Sequence, residues 1–308
     1  MSFIPSGAQY EIKDSGYSAV VTEIGASLRR LRWGDRDLIV PFARDEVRPH
    51  YRGAILAPWP NRVVDGRYTF AGVEYQLPVT EPQRGHALHG LALWLGATIV
   101  EHLPSSVTLA MVIEPQDGYP FRVRVVVSYA LDATGLRVNV TATNLTDREV
   151  PFATAAHPYL VAPVGPLDEW TLSLPAARVL TVTPDRLIPV GLAPVEHVDG
   201  GAFDFRVPRE IGATRIDHAF TDLSRDANGT TVVALTGRDA RGVTLSWDHD
   251  SPWVQICTAD LSTPFHSRLG LAVEPMSGPP DAFNSGAVTL VLGVGQSRSY
   301  EWRIAAIG

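Results

Sequence analysis

The least ordinary residue in the chain is Glu274, which ends the apolar run Leu269–Val273. A carboxylate at the end of a buried strand is costly unless it is paired or used. Three other polar clusters stand in apolar or turn-rich surroundings. His157 sits in Ala155-Ala156-His157-Pro158-Tyr159, where the following proline keeps its backbone extended. His89 lies in Gly85-His86-Ala87-Leu88-His89-Gly90, and Asn61-Arg62 closes Pro58-Trp59-Pro60-Asn61-Arg62. Asp217, in Arg215-Ile216-Asp217-His218, is weaker, since a neighbouring arginine could simply pair with it. Taken singly, each has a plain reading as a satisfied core histidine or a surface turn. Together, a glutamate and a histidine suit general acid–base chemistry, in which each group typically contributes about 10²–10⁴-fold. Asn61 and Arg62 can donate hydrogen bonds to hydroxyls. Trp59, Trp94, Tyr159 and Phe283 are candidate stacking surfaces, so the set suits a polyhydroxylated substrate.

Composition removes several alternatives. Of 26 basic residues, 25 are arginine and one is Lys13, so Schiff-base chemistry has a single candidate lysine near the N-terminus. The net charge of −7 and the lack of a basic stripe argue against a nucleic-acid partner. One cysteine, Cys257, forbids an intrachain disulfide and a multi-cysteine zinc site, and its apolar neighbours predict a buried, inert thiol. His86 and His89 are three apart in a glycine-flanked loop, a poor match to metal-ligand spacing, so no metal or cofactor is expected. There is no G-x-S-x-G, P-loop or complete G-x-G-x-x-G. The N-terminal segment lacks a charged-then-apolar signal pattern, and no apolar run approaches the ~20 residues of a membrane span. No membrane partner and a cytoplasmic location are expected, with the chain a monomer or homodimer.

Period-2 alternation dominates the segments that must position these residues. Val123, Val125, Val127, Tyr129 and Leu131 share one side, as do Leu136, Val138, Val140 and Ala142, with a hairpin turn at 132–135. A second hairpin turns at Ala71-Gly72. Strand-like runs follow at Val107–Ile113, Thr230–Leu235, Val243–Trp247, Trp253–Cys257, Val288–Leu292 and Ser299–Ile304. Strands thus recur every 8–12 residues, with no convincing amphipathic helix and no βαβ rhythm. The expectation is all-β: one large antiparallel β domain over 1–308. The turn-rich stretches 41–66, 78–96 and 257–286 are where function could sit.

In their order along the chain these clusters resemble the aldose 1-epimerase (galactose mutarotase) family. The resemblance is carried by Arg52-Gly53-Ala54-Ile55 through Pro60-Asn61-Arg62, by YTFAGVEYQLPVTEP (residues 68–82), and by Leu88-His89-Gly90. It continues through Asp117-Gly118-Tyr119-Pro120, His157-Pro158-Tyr159, Ile216-Asp217-His218-Ala219-Phe220 and EPMSGPPDAFNSG (residues 274–286). It implies a β-sandwich of the galactose mutarotase type that interconverts the α and β anomers of a monosaccharide. By position, Glu274 would be the base on the anomeric hydroxyl and His157 the acid on the ring oxygen. His89, Asp217, Arg62 and Asn61 would bind the sugar. Leu91 stands where the family has a second glycine, and HPYLVAP stands for H-x-YFNL. These departures resemble a bacterial mutarotase-like subgroup, some of whose members act on sulfoquinovose. An anionic sugar would need a further cation, for which Arg84 and Arg268 are candidates. Two other readings are a non-catalytic carbohydrate-binding module on the same fold, and a glycoside hydrolase using Asp217 and Glu274 as its two carboxylates.

Overall fold

The computed structural model describes residues 3–284 and 291–308. Two large antiparallel sheets form a sandwich. The nine-stranded sheet runs, edge to edge, through Thr98–Leu103, Ser106–Ile113, Val123–Asp132, Gly135–Asn144, Ser297–Ile307, Gly242–Trp247, Thr231–Thr236, Thr171–Ser173 and Arg209–Glu210. The eight-stranded sheet runs through Pro189–Pro194, Ala176–Val182, Asp217–Leu223, Trp253–Cys257, Leu271–Met276, Ala155–His157 and Ala54–Leu56, with Tyr159–Leu160 also paired to Leu271–Met276. Helical structure among the described residues is confined to three-residue 3₁₀ turns. None of it is long and apolar enough to cross a membrane.

The alternation read from the sequence builds the core directly. Val123, Val125, Val127 and Tyr129 are buried beside Val138, Val140 and Trp302 of neighbouring strands, and across the sandwich lie Val254, Ile256, Val273 and Ile55. The Val123–Asp132 hairpin closes as expected, with Asp132 opposite Gly135. At the second hairpin Ala71 and Gly72 both take positive φ, 49° and 77°, the requirement of a type I′ turn.

The expectation of a turn-rich stretch over 257–286 needs correction, because a central strand, Leu271–Met276, crosses it. All six of its residues are buried, so no polar alternation betrays it. Glu274 therefore lies within a strand and does not cap one. Short strands at Ala155–His157 and Ala54–Leu56 were likewise too brief for a periodic signal. Of the expected Val288–Leu292 run, Val291–Leu292 pairs with Val150–Pro151, and residues 288–290 lie outside the described residues, as do Ser285 and Gly286 of the glutamate motif.

Register sets the face on which polar side chains emerge. Gln255 is directly opposite Glu274, and Cys257 is opposite both Asp217 and Ala272. On the other side of Glu274, Ala155 pairs with Met276 and Tyr159 with Ala272, so His157 falls level with Glu274. Residues paired across an antiparallel ladder, and residues two apart along it, share a face. Asp217, Cys257, Gln255, Glu274, His157 and Tyr159 consequently all project from the face away from the sandwich core, while Ile256 and Val273 between them point into it.

Loops cover that face. Arg62–Val63 forms a two-stranded ladder with Ala87–Leu88, and the Asn61 carbonyl accepts the His89 N–H at 2.8 Å. The loop is drawn down onto Ala57, whose carbonyl accepts the N–H groups of Leu91 (2.7 Å) and Ala92 (2.9 Å). Gly90 allows this approach. Its φ is +76°, and a Cβ there would collide with the Ala57 carbonyl. Gly90→Ala is expected to destabilise the protein by about 2–4 kcal/mol, combining left-handed strain with a backbone clash. An unchanged midpoint in urea unfolding would show that the loop does not need this contact.

Candidate active site

The sheet face and its loops enclose a cavity of about 300 Å³, at the small end of the ~300–1,000 Å³ usual for small-molecule sites. Its lining includes Asn61, Arg62, His89, His157, Asp217 and Glu274, so all six residues singled out from the sequence meet there. The sheet supplies three of them, and the two stapled loops supply the rest.

At the centre His157 Nε2 lies 3.3 Å from Glu274 Oε1, and both side chains are more than nine-tenths buried. Burial, with the Asp217 charge adding to it, pushes the Glu274 carboxyl well above the usual carboxylate range, against a smaller opposing effect of Arg62. Burial also lowers the His157 imidazole to about 3, helped by Arg48 and His50. Burial thus drives both groups of this contact toward their uncharged forms, a neutral imidazole facing a carboxylic acid. Glu274 Oε2 and His157 Nδ1 have no hydrogen-bond partner among the described residues. The His157 ring is held by Tyr159, stacked at 5.1 Å and 26°, and by Tyr51, 6.0 Å away.

His89 is set edge-on against His157 at 5.2 Å and against Tyr51 at 4.5 Å. Burial, then His157, Arg62 and Arg48, hold its pKa well below the ordinary histidine value, so it is neutral, and its Nδ1 is unpartnered among the described residues. Asn61 at φ +51° and His89 at φ +64° both occupy left-handed backbone, strain that loops commonly store at functional sites. Asp217 is not paired to an arginine as its plainest reading had it. Its Oδ1 accepts the Gln255 amide at 2.6 Å, while Arg215 reaches toward Asp260.

Four site features escaped the sequence reading. Glu81 binds Arg62 in a two-pronged ion pair, Nε–Oε2 2.7 Å and Nη2–Oε1 2.9 Å, and also accepts Arg84 Nη1 at 2.8 Å. Burial works to raise the Glu81 carboxyl, but the hydrogen bonds from Arg62 and Arg84 outweigh it and hold it below the usual range. Gln255, Tyr51 and His50 also line the cavity. Gln255 had a readable signal, a lone polar residue at the centre of the alternating strand Trp253–Cys257. Glu81 stood in the family-like stretch of residues 68–82, but its pairing with Arg62, nineteen residues away, left no mark in the sequence.

Other candidate residues fall in and around the cavity. Of the stacking candidates only Tyr159 lines the cavity; Trp59 and Phe283 pack against each other in the core, and Trp94 lies outside under Arg48. Cys257 is half-buried, forming part of the cavity wall, but burial and the Asp217 charge hold it well above the usual thiol range, so it stays a thiol. His86 is not aimed at a shared site with His89. Its Nδ1 accepts the Asp65 N–H and its Nε2 meets the Arg186 carbonyl. Arg268 does not line the cavity: it is held by Asp168, Asp260 and the carbonyls of Thr214 and Gly212. Arg84 also lies outside the lining, tied to Glu81.

The aldose 1-epimerase family model matches residues 8–305. The chain belongs to the aldose 1-epimerase family. Among family relatives, an uncharacterized Escherichia coli K12 protein, YihR, is 36% identical over 292 residues, 94% of this chain and 91% of YihR. Galactose mutarotase of Mus musculus is 30% identical over 237 residues, 70% of this chain and 66% of that protein. The fold is that of a GalM/aldose epimerase homologue from C. elegans, with a TM-score of 0.85 at 20% identity over 97% of this chain and 98% of the other.

Two carboxyl-to-amide changes in this one cavity are expected to act in opposite directions. The buried Glu274 carboxyl keeps its proton where the unfolded chain loses it, so its contribution to stability falls as pH rises from about 4.5 toward the raised folded value. Glu274→Gln removes that loss and is expected to raise Tm at pH 7–8, with little gain at pH 4. Glu81→Gln leaves Arg62 buried without its counter-charge and is expected to cost about 3 kcal/mol. Calorimetric Tm across pH measures both. A Glu274→Gln variant no more stable than the parent at pH 8 would mean that Glu274 is ionised in the fold.

Proposed function

We propose that this member of the family is a mutarotase that interconverts the α and β anomers of an aldose by acid–base opening and closing of the ring. The observation that carries this reading is the buried contact of Glu274 with His157 at 3.3 Å. With a cyclic sugar bound, Glu274 as carboxylate takes the proton from the anomeric hydroxyl. Imidazolium His157 gives its Nε2 proton to the ring oxygen, and the C1–O5 bond breaks. The open aldehyde then faces a protonated Glu274 and a neutral His157. Rotation about C1–C2 presents the other carbonyl face, and closure returns each proton to its origin.

The number of protons on the pair is the same throughout. The distribution favoured in the free protein, acid on Glu274 and base on His157, matches the open-chain stage. The site thus lies close to the high-energy species and needs no net proton from solvent. Arg62, fixed by Glu81, and Asp217, fixed by Gln255, are positioned to bind sugar hydroxyls, with His89 and Asn61 beside them. A monosaccharide suffices as partner, and no cofactor is assigned a role.

Two features favour this over hydrolysis and over passive binding. The group in contact with Glu274 is an imidazole, which supplies the second acid–base group that ring opening needs. Glu274 and His157 form a paired acid and base, and passive binding requires no such pair.

Saturation-transfer NMR on a panel of aldoses, neutral and anionic, tests the proposal. Anomer exchange faster than buffer is expected for at least one sugar, with Glu274→Gln and His157→Gln each slowing it about 10²–10⁴-fold. Exchange at the buffer rate across the panel would reject it. The pH profile of kcat/KM is expected to be flat through neutrality. Its acid limb should lie near 3, where His157 takes a second proton while Glu274 holds the first. Its alkaline limb should lie well above the ordinary carboxylate range, where the shared proton leaves. An acid limb at 6–7 would assign the titration to an unburied histidine.

A further inference from the structure

A second cavity, about 640 Å³, opens beside the sugar site and shares no lining residue with it. His50 lines the first and His266 the second, their rings 5.6 Å apart. The second cavity owes its character to a β-bulge. In the strand Leu28–Trp33 the pairing shifts between Val20 and Val21, so that Arg29 is an extra residue beside Arg30. A bulge re-aims side chains that a regular strand would send to opposite faces, and Arg29, Arg30 and Arg32 all line this one cavity. Arg52 joins them from the loop that follows.

Two carboxylates, Asp37 and Glu46, also line the cavity, each engaged by a neighbour in the same wall. Asp37 stands 3.4 Å from Arg32, and Glu46 accepts the Ala43 N–H at 3.0 Å. Arg30 has only Glu11 at 4.0 Å, and Glu11 is nearer Lys13 at 3.2 Å. Arg29 and Arg52 have no carboxylate within 4.0 Å among the described residues, and each donates only to a backbone carbonyl, Phe42 and Pro41 respectively. Arg52 is 7% exposed. A buried guanidinium without a counter-charge is costly, and a bound anion is the ordinary way to offset it. Burial holds the Arg52 pKa down against the opposing effects of Tyr159 and Glu46, and burial with neighbouring Arg30 and Arg44 lowers that of Arg29 against Glu11.

We propose that this cavity is a second ligand site, which binds a multivalent oxyanion of the phosphate type on the guanidiniums of Arg29, Arg30 and Arg52. Planar guanidinium forks match tetrahedral oxyanions with paired hydrogen bonds. Exposed Phe265 on the rim offers an apolar surface for a small molecule carrying the anion. The proposal does not rest on the sugar chemistry, because Arg29, Arg30 and Arg52 are not among the residues that line the Glu274–His157 cavity.

Isothermal calorimetry at constant ionic strength, with inorganic phosphate in one arm and glucose 6-phosphate in the other, tests it on the full chain. Saturable binding of phosphate is expected, weakened at least tenfold in Arg29→Ser/Arg30→Ser and in Arg52→Gln. The double variant changes only half-exposed side chains, so it keeps the test open if Arg52→Gln fails to fold. Tighter binding of the ester than of phosphate would identify a phosphorylated small molecule as the ligand, and equal affinity would identify the free anion. No saturable binding of either, or undiminished affinity in the double variant, would overturn the proposal. So would phosphate that competes with aldose for the first cavity.

Discussion

The structure depends on the register of one strand. Leu271–Met276 pairs on one side with Trp253–Cys257 and on the other with Ala155–His157 and Tyr159–Leu160, and these pairings set Glu274 level with Gln255 and with His157. Side chains alternate along a strand, so a slip of one residue would exchange Glu274 with Val273. The carboxyl would then enter the apolar core, and Val273 would face the sugar. The apolar alternation that closes the sandwich is therefore the same constraint that brings an acid and a base together. Fold specification and site assembly are one requirement here.

That placement has an energetic consequence. Glu274 and His157 are each pushed by burial toward the uncharged form, and the shifts run in opposite directions. A solvated glutamate–histidine pair at neutral pH would settle as a carboxylate beside an imidazole or imidazolium. Burial biases the pair toward its neutral form. Burial also costs stability at both ends of the pH scale, so the site is a local liability that the surrounding core must offset. The Glu81–Arg62 pair differs in kind. Its charges are matched and held by two short hydrogen bonds, which makes it the fixed frame against which the mobile proton is set.

Much of this was legible in the sequence, and the reasons are physical. Alternation with period 2 found the long strands of the nine-stranded sheet, because one face of each meets the core and the other does not. The six principal site residues were visible as polar side chains where apolar ones or turns were due, and their order matched a known family. What escaped followed from burial and from distance along the chain. Leu271–Met276 is buried on both faces and has no polar alternation, so Glu274 read as a strand end when it lies within the strand. Glu81 and Arg62 meet only through the folding of two loops. Trp59 and Phe283 looked like stacking surfaces because an aromatic side chain carries no mark that separates core from cleft. The arginine cluster depends on a bulge that sequence pattern does not reveal.

The protonation state of Glu274 in the sugar-free protein bears most directly on this picture. Difference infrared spectroscopy between the parent protein and Glu274→Gln, recorded at pH 7, reports the carbonyl stretch of that one side chain. A protonated carboxyl band present in the parent and missing from the variant is the expected result, with no imidazolium signal from His157. An ionised carboxylate at Glu274 at pH 7 would contradict the shared-proton pair on which the proposed ring-opening chemistry rests.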